Sequence, residues 1–215
     1  MPRGLIFDLD GTLVDSLPGI AASLNRALAK LDRSPHSVAK VRSFVGDVSR
    51  VLCQRALGGT GSEEEVDALE SAFKADYAIT WKEGTTVFPG ILELLRDLAT
   101  AGHFLAVLSN KPHPFTEKIV ALLFPDVPFA RVLGQHPGLP CKPDPAGALE
   151  IATASGLPAE AFTVIGDSTM DLETARRANM RSIGVTWGYQ DAQVLKGAET
   201  IVNDIAALTR ILREA

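Results

Sequence analysis

The chain has 215 residues, 46% of them hydrophobic and 22% charged, enough for one sizeable core and a smaller satellite. Its net charge of −5, without a Lys/Arg cluster, argues against nucleic acid or an anionic membrane surface as main partner and for a compact substrate. Cys53 and Cys141 lie far apart without metal-ligand spacing, and no stretch approaches 18 apolar residues, so the expectation is a cytoplasmic protein with two reduced thiols and no membrane association.

In chain order, the first element is "GLIF" at 4–7, a buried strand that runs into two acids, Asp8 and Asp10, and a glycine. From Leu17 to Trp81 the pattern is helical: "LPGIAASLNRALAKLD", "SVAKVRSFVGDVSRVLCQRAL" and "SEEEVDALESAFKADYAITW" each repeat apolar residues at three- and four-residue spacing. The breaks between these three helices are "RSPH" at 33–36 and "GGTGS" at 58–62, and "EGTTVFPG" at 83–90 ends the block. The acidic start of the third, Glu63 to Glu65, suits a first helical turn. Trp81 is expected to pack where this block meets the rest.

Beyond Ile91 helical patterns alternate with the short apolar runs "FLAVLS", "FARVLG", "FTVIGD", "RSIGVTW" and "TIVND". This βα repetition predicts an α/β protein, with about six parallel strands covered on both faces and an all-α insertion after the first strand. The expected division is a core of 1–15 and 84–215 and a helical domain of 16–83.

Ligands of open parallel sheets bind beyond the carboxyl ends of the strands. There "GLIF" delivers Asp8 and Asp10, "FLAVL" delivers Ser109 and Asn110, and "FTVIG" delivers Asp167 and, four residues later, Asp171. Lys142 stands in "CKPDP", a loop stiffened by Pro143 and Pro145. Clustered carboxylates repel unless a cation compensates, and an oxygen-lined site suits Mg²⁺. The ammonium and hydroxyl add donors for phosphate oxygens, so the set reads as metal plus phosphoryl group. A carboxylate there can attack phosphorus while its neighbour handles protons. Taken singly, Asp-x-Asp-Gly is also turn chemistry, and "GDSTMD" is also a helix start capped by Asp167 or Ser168. An EF-hand reading fails, because Thr12 and Gly19 stand where ligands are needed. His36, His103, His113 and His136 show no metal-ligand spacing.

"DLDGTLVDS", "LSNKP", "CKPDP" and "GDSTMD" resemble the four motifs of the haloacid dehalogenase-like superfamily, over essentially the whole chain. The resemblance implies a Rossmann-like core with an inserted α-helical cap. The two acids of the first motif point to its phosphatase branch, and "SNKPHPF", "GDSTMD" and "VRSFVGDVSRVLCQRAL" are most similar to phosphoglycolate phosphatases. It implies that Asp8 is the nucleophile forming an aspartyl-phosphate and Asp10 the general acid and base. Mg²⁺ is then held by Asp8, the Asp10 carbonyl and Asp167, with Asp171 supporting, while Ser109, Asn110 and Lys142 hold the phosphoryl oxygens. In the cap, Arg42 and Gly46 match a loop that dips into the site, where Arg42 meets a substrate carboxylate; Val48 replaces a glycine usual in relatives. The implied partner is a small phosphorylated metabolite, phosphoglycolate or a similar organic phosphate, and the chain is expected to be a monomer or homodimer. A phosphotransferase or mutase on the same motifs, and a receiver-like phospho-acceptor module, are the alternatives.

Overall fold

The computed structural model describes residues 3–214; positions 1, 2 and 215 of the expected core lie outside the described residues. The chain opens with β1 (Gly4–Phe7) and the short β2 (Val14–Asp15), followed by α1 (Leu17–Lys30), α2 (Val38–Arg42), α3 (Ser49–Ala56) and α4 (Glu63–Thr80). After β3 (Thr86–Val87) and α5 (Ile91–Thr100) come β4 (Phe104–Pro112), α6 (His113–Leu123), β5 (Arg131–Gln135) and α7 (Ala146–Ser155). The chain ends with β6 (Phe162–Gly166), α8 (Thr169–Arg177), β7 (Arg181–Val185), β8 (Thr200–Val202) and α9 (Ile205–Glu214).

Six strands form a sheet in the order β5-β4-β1-β6-β7-β8, every neighbour parallel. Side chains alternate across a strand, so both faces must be apolar where both are covered. In β1, Leu5 and Phe7 join one buried cluster with Leu95, Val107 and Leu208, while Ile6 joins another with Ala106, Ile151 and Ala175. The continuous apolar runs of the sequence are the result of this two-sided burial.

Helices α1 to α4 bury their apolar faces against one another in a third cluster, built around Leu24, Leu28, Val41, Leu52, Leu69 and Phe73. α4 starts with a reciprocal cap: Ser62 Oγ accepts from the Glu65 N–H and the Glu65 carboxylate from the Ser62 N–H. Trp81 packs on both this cluster and the sheet's, as its place in the sequence predicts. No helix among the described residues is long and apolar enough to cross a membrane.

Two expectations need correction. Residues 37–57 are not one helix, because the chain leaves the helix after Arg42 and re-enters at Ser49. Gly46 has φ +114°, a conformation no continuing helix allows, so the apolar spacing there reflects two helices of similar phase. The segments read as a turn at 83–90 and as the end of the first motif pair up: β2 and β3 form an antiparallel ladder, Val14 beside Val87 and Asp15 beside Thr86. Two residues per strand are too few to show a period.

Candidate active site

Because β1 lies between β4 and β6, the residues that follow all three strands emerge side by side. Phe7 is in register with Val107 on one side and Ile165 on the other, and the Asp8 N–H donates to the Ile165 carbonyl at 2.9 Å. Asp8, Ser109, Asn110, Lys142, Asp167 and Asp171 are all buried. Buried charges persist only when paired, and the pairing defines the site.

Lys142 Nζ lies 2.8 Å from Asp8 Oδ1 and 2.6 Å from Asp171 Oδ1. Burial by itself disfavours the ammonium, but Asp171 and Asp8 more than offset it and hold Lys142 above the ordinary lysine range. Its loop is fixed by Asn110, whose amide accepts from the Lys142 N–H at 2.8 Å and donates to the Lys142 carbonyl at 3.1 Å. The Asn110 side chain therefore positions the lysine loop. Ser109 Oγ accepts from the Lys111 N–H at 3.2 Å.

Asp171 belongs to helix and site at once. Its Oδ2 accepts from the Ser168 N–H at 3.1 Å and the Ser168 hydroxyl at 2.5 Å, while Ser168 Oγ accepts from the Asp171 N–H, the reciprocal cap of α8. Its other oxygen faces Lys142. The helix-start reading of "GDSTMD" is correct, with Ser168 as the capping residue, and the same Asp171 lies against Lys142.

One carboxylate oxygen from each of Asp8, Asp167 and Asp171 falls within 4.8 Å of the others. Burial, followed by repulsion from Asp8 and Asp171, pushes the Asp167 carboxyl up to about 8. Burial also raises Asp8, against the pull of Lys142. A buried all-oxygen set whose members resist ionising together fits a hard divalent cation, which would favour the charged forms. These residues fit Mg²⁺.

Asp10 has its own partners. Lys111 Nζ lies 3.0 and 3.2 Å from its two oxygens, and the Ser16 hydroxyl donates to Oδ1 at 2.5 Å. Lys111 is buried, and Asp10 outweighs the desolvation that disfavours its charge. The sequence reading gives Lys111 no role; the available signal was a lysine inside a segment that continues the buried strand β4.

A second missed feature is the loop after β7. The Tyr189 N–H donates to Asp167 Oδ2 at 2.6 Å, and the Trp187 indole N–H to the Thr12 carbonyl at 3.2 Å. A Cβ on Gly188 would come within 2.3 Å of Asp167, so the backbone packs on the carboxylate only because residue 188 is glycine. The Tyr189 hydroxyl accepts from the N–H groups of Ser16 and Leu17 at 2.8 and 3.1 Å, where the chain enters α1. Arg42 reaches this same loop: its Nε donates to the Tyr189 carbonyl and its Nη2 to the Gly188 carbonyl, both at 2.7 Å. Arg42 is thus spent on backbone and does not line the cavity, whereas Gly46 does. His36 and His113 are likewise engaged with backbone, at Ala56 and Gly134.

The site opens into a cavity of about 90 Å³ between sheet and helices, walled on the helical side by Ile20, Val45, Leu52, Phe73 and Tyr77. On the same measure one water needs about 10–15 Å³, so the space admits a small organic group. The arrangement offers a carboxylate–ammonium pair, Asp8 and Lys142, and a second, Asp10 and Lys111, lining the same cavity.

The chain matches the family model described as "Haloacid dehalogenase-like hydrolase" over residues 5–185. The phosphoglycolate phosphatase of Rhodospirillum rubrum is 36% identical to it, over 97% of this chain and 90% of that one. That of Psychrobacter arcticus is 35% identical, over 98% and 96%. A crystal structure from Lactobacillus delbrueckii subsp. bulgaricus superposes with a TM-score of 0.93 at 31% identity, covering 98% of each chain.

Proposed function

Since the chain belongs to the haloacid dehalogenase-like hydrolase family and is a phosphoric monoester hydrolase, we propose that it hydrolyses a small organic phosphate through an aspartyl-phosphate on Asp8, with Mg²⁺. The observation that carries this reading is the division of the acids into two sets. Asp8 shares Lys142 with Asp171, whereas Asp10, two residues on, pairs with Lys111 instead.

In the first step an Asp8 oxygen bonds to phosphorus as the phosphorus–alkoxide bond breaks, and Asp10 gives its proton to the departing oxygen. In the second, water attacks the same phosphorus, Asp10 takes the proton from that water, and inorganic phosphate leaves Asp8 as a carboxylate. Lys142 and Ser109, with backbone donors near Asn110, hold the phosphoryl oxygens through both steps; such positioning and charge stabilisation are the bulk of phosphoryl-transfer catalysis. Asp8, Asp167, Asp171 and the Asp10 carbonyl would hold Mg²⁺, which when bound neutralises charge on the phosphoryl oxygens. Residues 16–83 act as a cap on a core of 1–15 and 84–215, and keep bulk water from the reacting centre. Phosphoglycolate is the first substrate to test, as two relatives are named for it.

A screen of phosphate monoesters with Mg²⁺, run beside Asp8→Asn and Asp10→Asn, tests the mechanism. Both variants are expected to lose turnover by at least about 100-fold. Asp8→Asn is also expected to form no acid-stable phosphoenzyme when the reaction is quenched. Turnover near that of the unmodified enzyme in Asp8→Asn rejects the mechanism.

A further inference from the structure

Serine stands at the N-terminus of α1, α2, α4 and α8. A serine there ordinarily accepts a hydrogen bond from an N–H of the first turn, because those donors have no partner inside the helix. Ser37, Ser62 and Ser168 do so for α2, α4 and α8. Ser16 of α1 does not: its buried hydroxyl donates to Asp10 Oδ1 at 2.5 Å.

The start of α1 is capped from the loop after β7 instead. The Tyr189 hydroxyl accepts from the N–H groups of Ser16 and Leu17, at 2.8 and 3.1 Å, and donates to Asp15 Oδ1 at 3.2 Å. The Leu17 N–H is shared with Asp15 Oδ1 at 3.1 Å, and Pro18, next in the helix, brings no donor. A hydroxyl has one proton and two lone pairs, so this one is fully used. Ser16 Oγ lies 3.3 Å from it. The two hydroxyls thus stand side by side, one turned to the helix and the other to the site.

Asp10 is held in two ways. Lys111 approaches both of its oxygens, whereas Ser16 bonds to Oδ1 alone. An ammonium on a flexible four-carbon stem satisfies charge over a range of carboxylate orientations; a hydroxyl on a one-carbon side chain selects one of them. Tyr189 also reaches the other set of acids, but through its backbone, whose N–H donates to Asp167 Oδ2 at 2.6 Å. Removing the hydroxyl therefore leaves the Asp167 contact in place.

We propose that Tyr189 is a positioning residue for Asp10: by capping α1 in place of Ser16, its hydroxyl releases the Ser16 hydroxyl to hold the Asp10 carboxyl group in the orientation that proton transfer needs. Without the tyrosine hydroxyl, the N–H groups at the helix start lose an acceptor and Ser16 Oγ turns back to serve them. This inference rests on the phosphatase reading, in which Asp10 protonates the departing oxygen, and deepens it.

A leaving group that needs no proton separates positioning of Asp10 from general damage. The test compares kcat/KM for the best alkyl ester of the monoester screen, with 2-phosphoglycolate tried first, and for acetyl phosphate, whose acetate departs unprotonated; this constant reports departure of the leaving group rather than later hydrolysis of the phosphoenzyme. Asp10→Asn sets the scale, with a loss of at least about 100-fold on the alkyl ester and no more than about fivefold on acetyl phosphate. Tyr189→Phe keeps the ring and the backbone donor, so the variant is expected to fold. It should lose about 5- to 20-fold on the alkyl ester and stay within about twofold on acetyl phosphate, with Mg²⁺ affinity, measured by calorimetric titration, also within about twofold. Ser16→Ala should show the same split between substrates. The double variant should lose no more than about twofold beyond Ser16→Ala, because both residues act through one hydrogen bond. Equal losses on the two substrates in Tyr189→Phe, or multiplied losses in the double variant, overturn the positioning role and leave the phosphatase reading intact. An Asp10→Asn variant that loses equally on both substrates overturns the proton transfer and the inference with it.

Discussion

Asp167 shows how far one side chain's chemistry is set by its neighbours. Burial and two adjacent acids raise its carboxyl to about 8, and the Tyr189 N–H only partly compensates. Raised above its unfolded value, this acid is protonated in the folded, metal-free protein at pH 6 and ionised above pH 8. Metal needs the carboxylate. Asp8, a ligand of the same ion in the proposed site, is also raised, to about 7, so Mg²⁺ binding should release between one and two protons at pH 6 and almost none at pH 9, with affinity rising across that interval. Calorimetric titration in buffers of different ionisation enthalpy measures the release; an affinity independent of pH from 6 to 9 would contradict the assignment of Asp167. At this scale the acids and Lys142 were legible in the sequence because each ends a recognisable strand or stands in a proline-braced loop. Lys111 was not, since it lies past the apolar run "FLAVLS", and only the structure carries β4 on through Pro112.

Elements carry chemistry here through their ends. The cap of α8 uses an acid that also faces Lys142, so the start of the helix and the shape of the site are one set of hydrogen bonds. Ser168→Ala should cost about 0.5–2 kcal/mol of stability, the usual range for a lost N-cap, read as a lower urea midpoint with unchanged slope. It should also weaken Mg²⁺ binding, because Asp171 loses the hydroxyl that orients it. Helix and strand types were readable from periodicity wherever an element was long or buried on both faces. The break at 43–48 was not, because α2 and α3 keep nearly the same apolar phase across it. Arg42 was expected at the substrate from the family resemblance; in the structure its guanidinium donates to the carbonyls of the loop at 188–189.

For the whole molecule, that contact is one of the polar ties between the helical segment and the loop that donates to Asp167. Arg42 holds two carbonyls of a loop whose next donor grips Asp167 and whose tyrosine hydroxyl caps the entrance to α1. Arg42→Ala should leave the sheet's protection unchanged and raise amide hydrogen exchange at least about threefold in residues 43–48 and 186–190. Mass-spectrometric exchange would show it, and an unchanged pattern would mean that the Arg42 contact does not hold the two segments together. The sheet order was within reach of the sequence only in outline. Parallel strands announce themselves as apolar runs, but nothing in them states that β1 lies in the middle; that emerges from pairing with β4 and β6. The ladder of β2 and β3 has an architectural consequence. It sets Asp15 directly beside Thr86, so the chain leaves for the helical segment and returns from it at adjacent points. A two-residue turn is enough to join neighbouring antiparallel strands. Everything between those points is, in topological terms, a long loop grafted onto a hairpin. It can be lengthened, shortened or exchanged for another segment without rerouting any strand of the sheet.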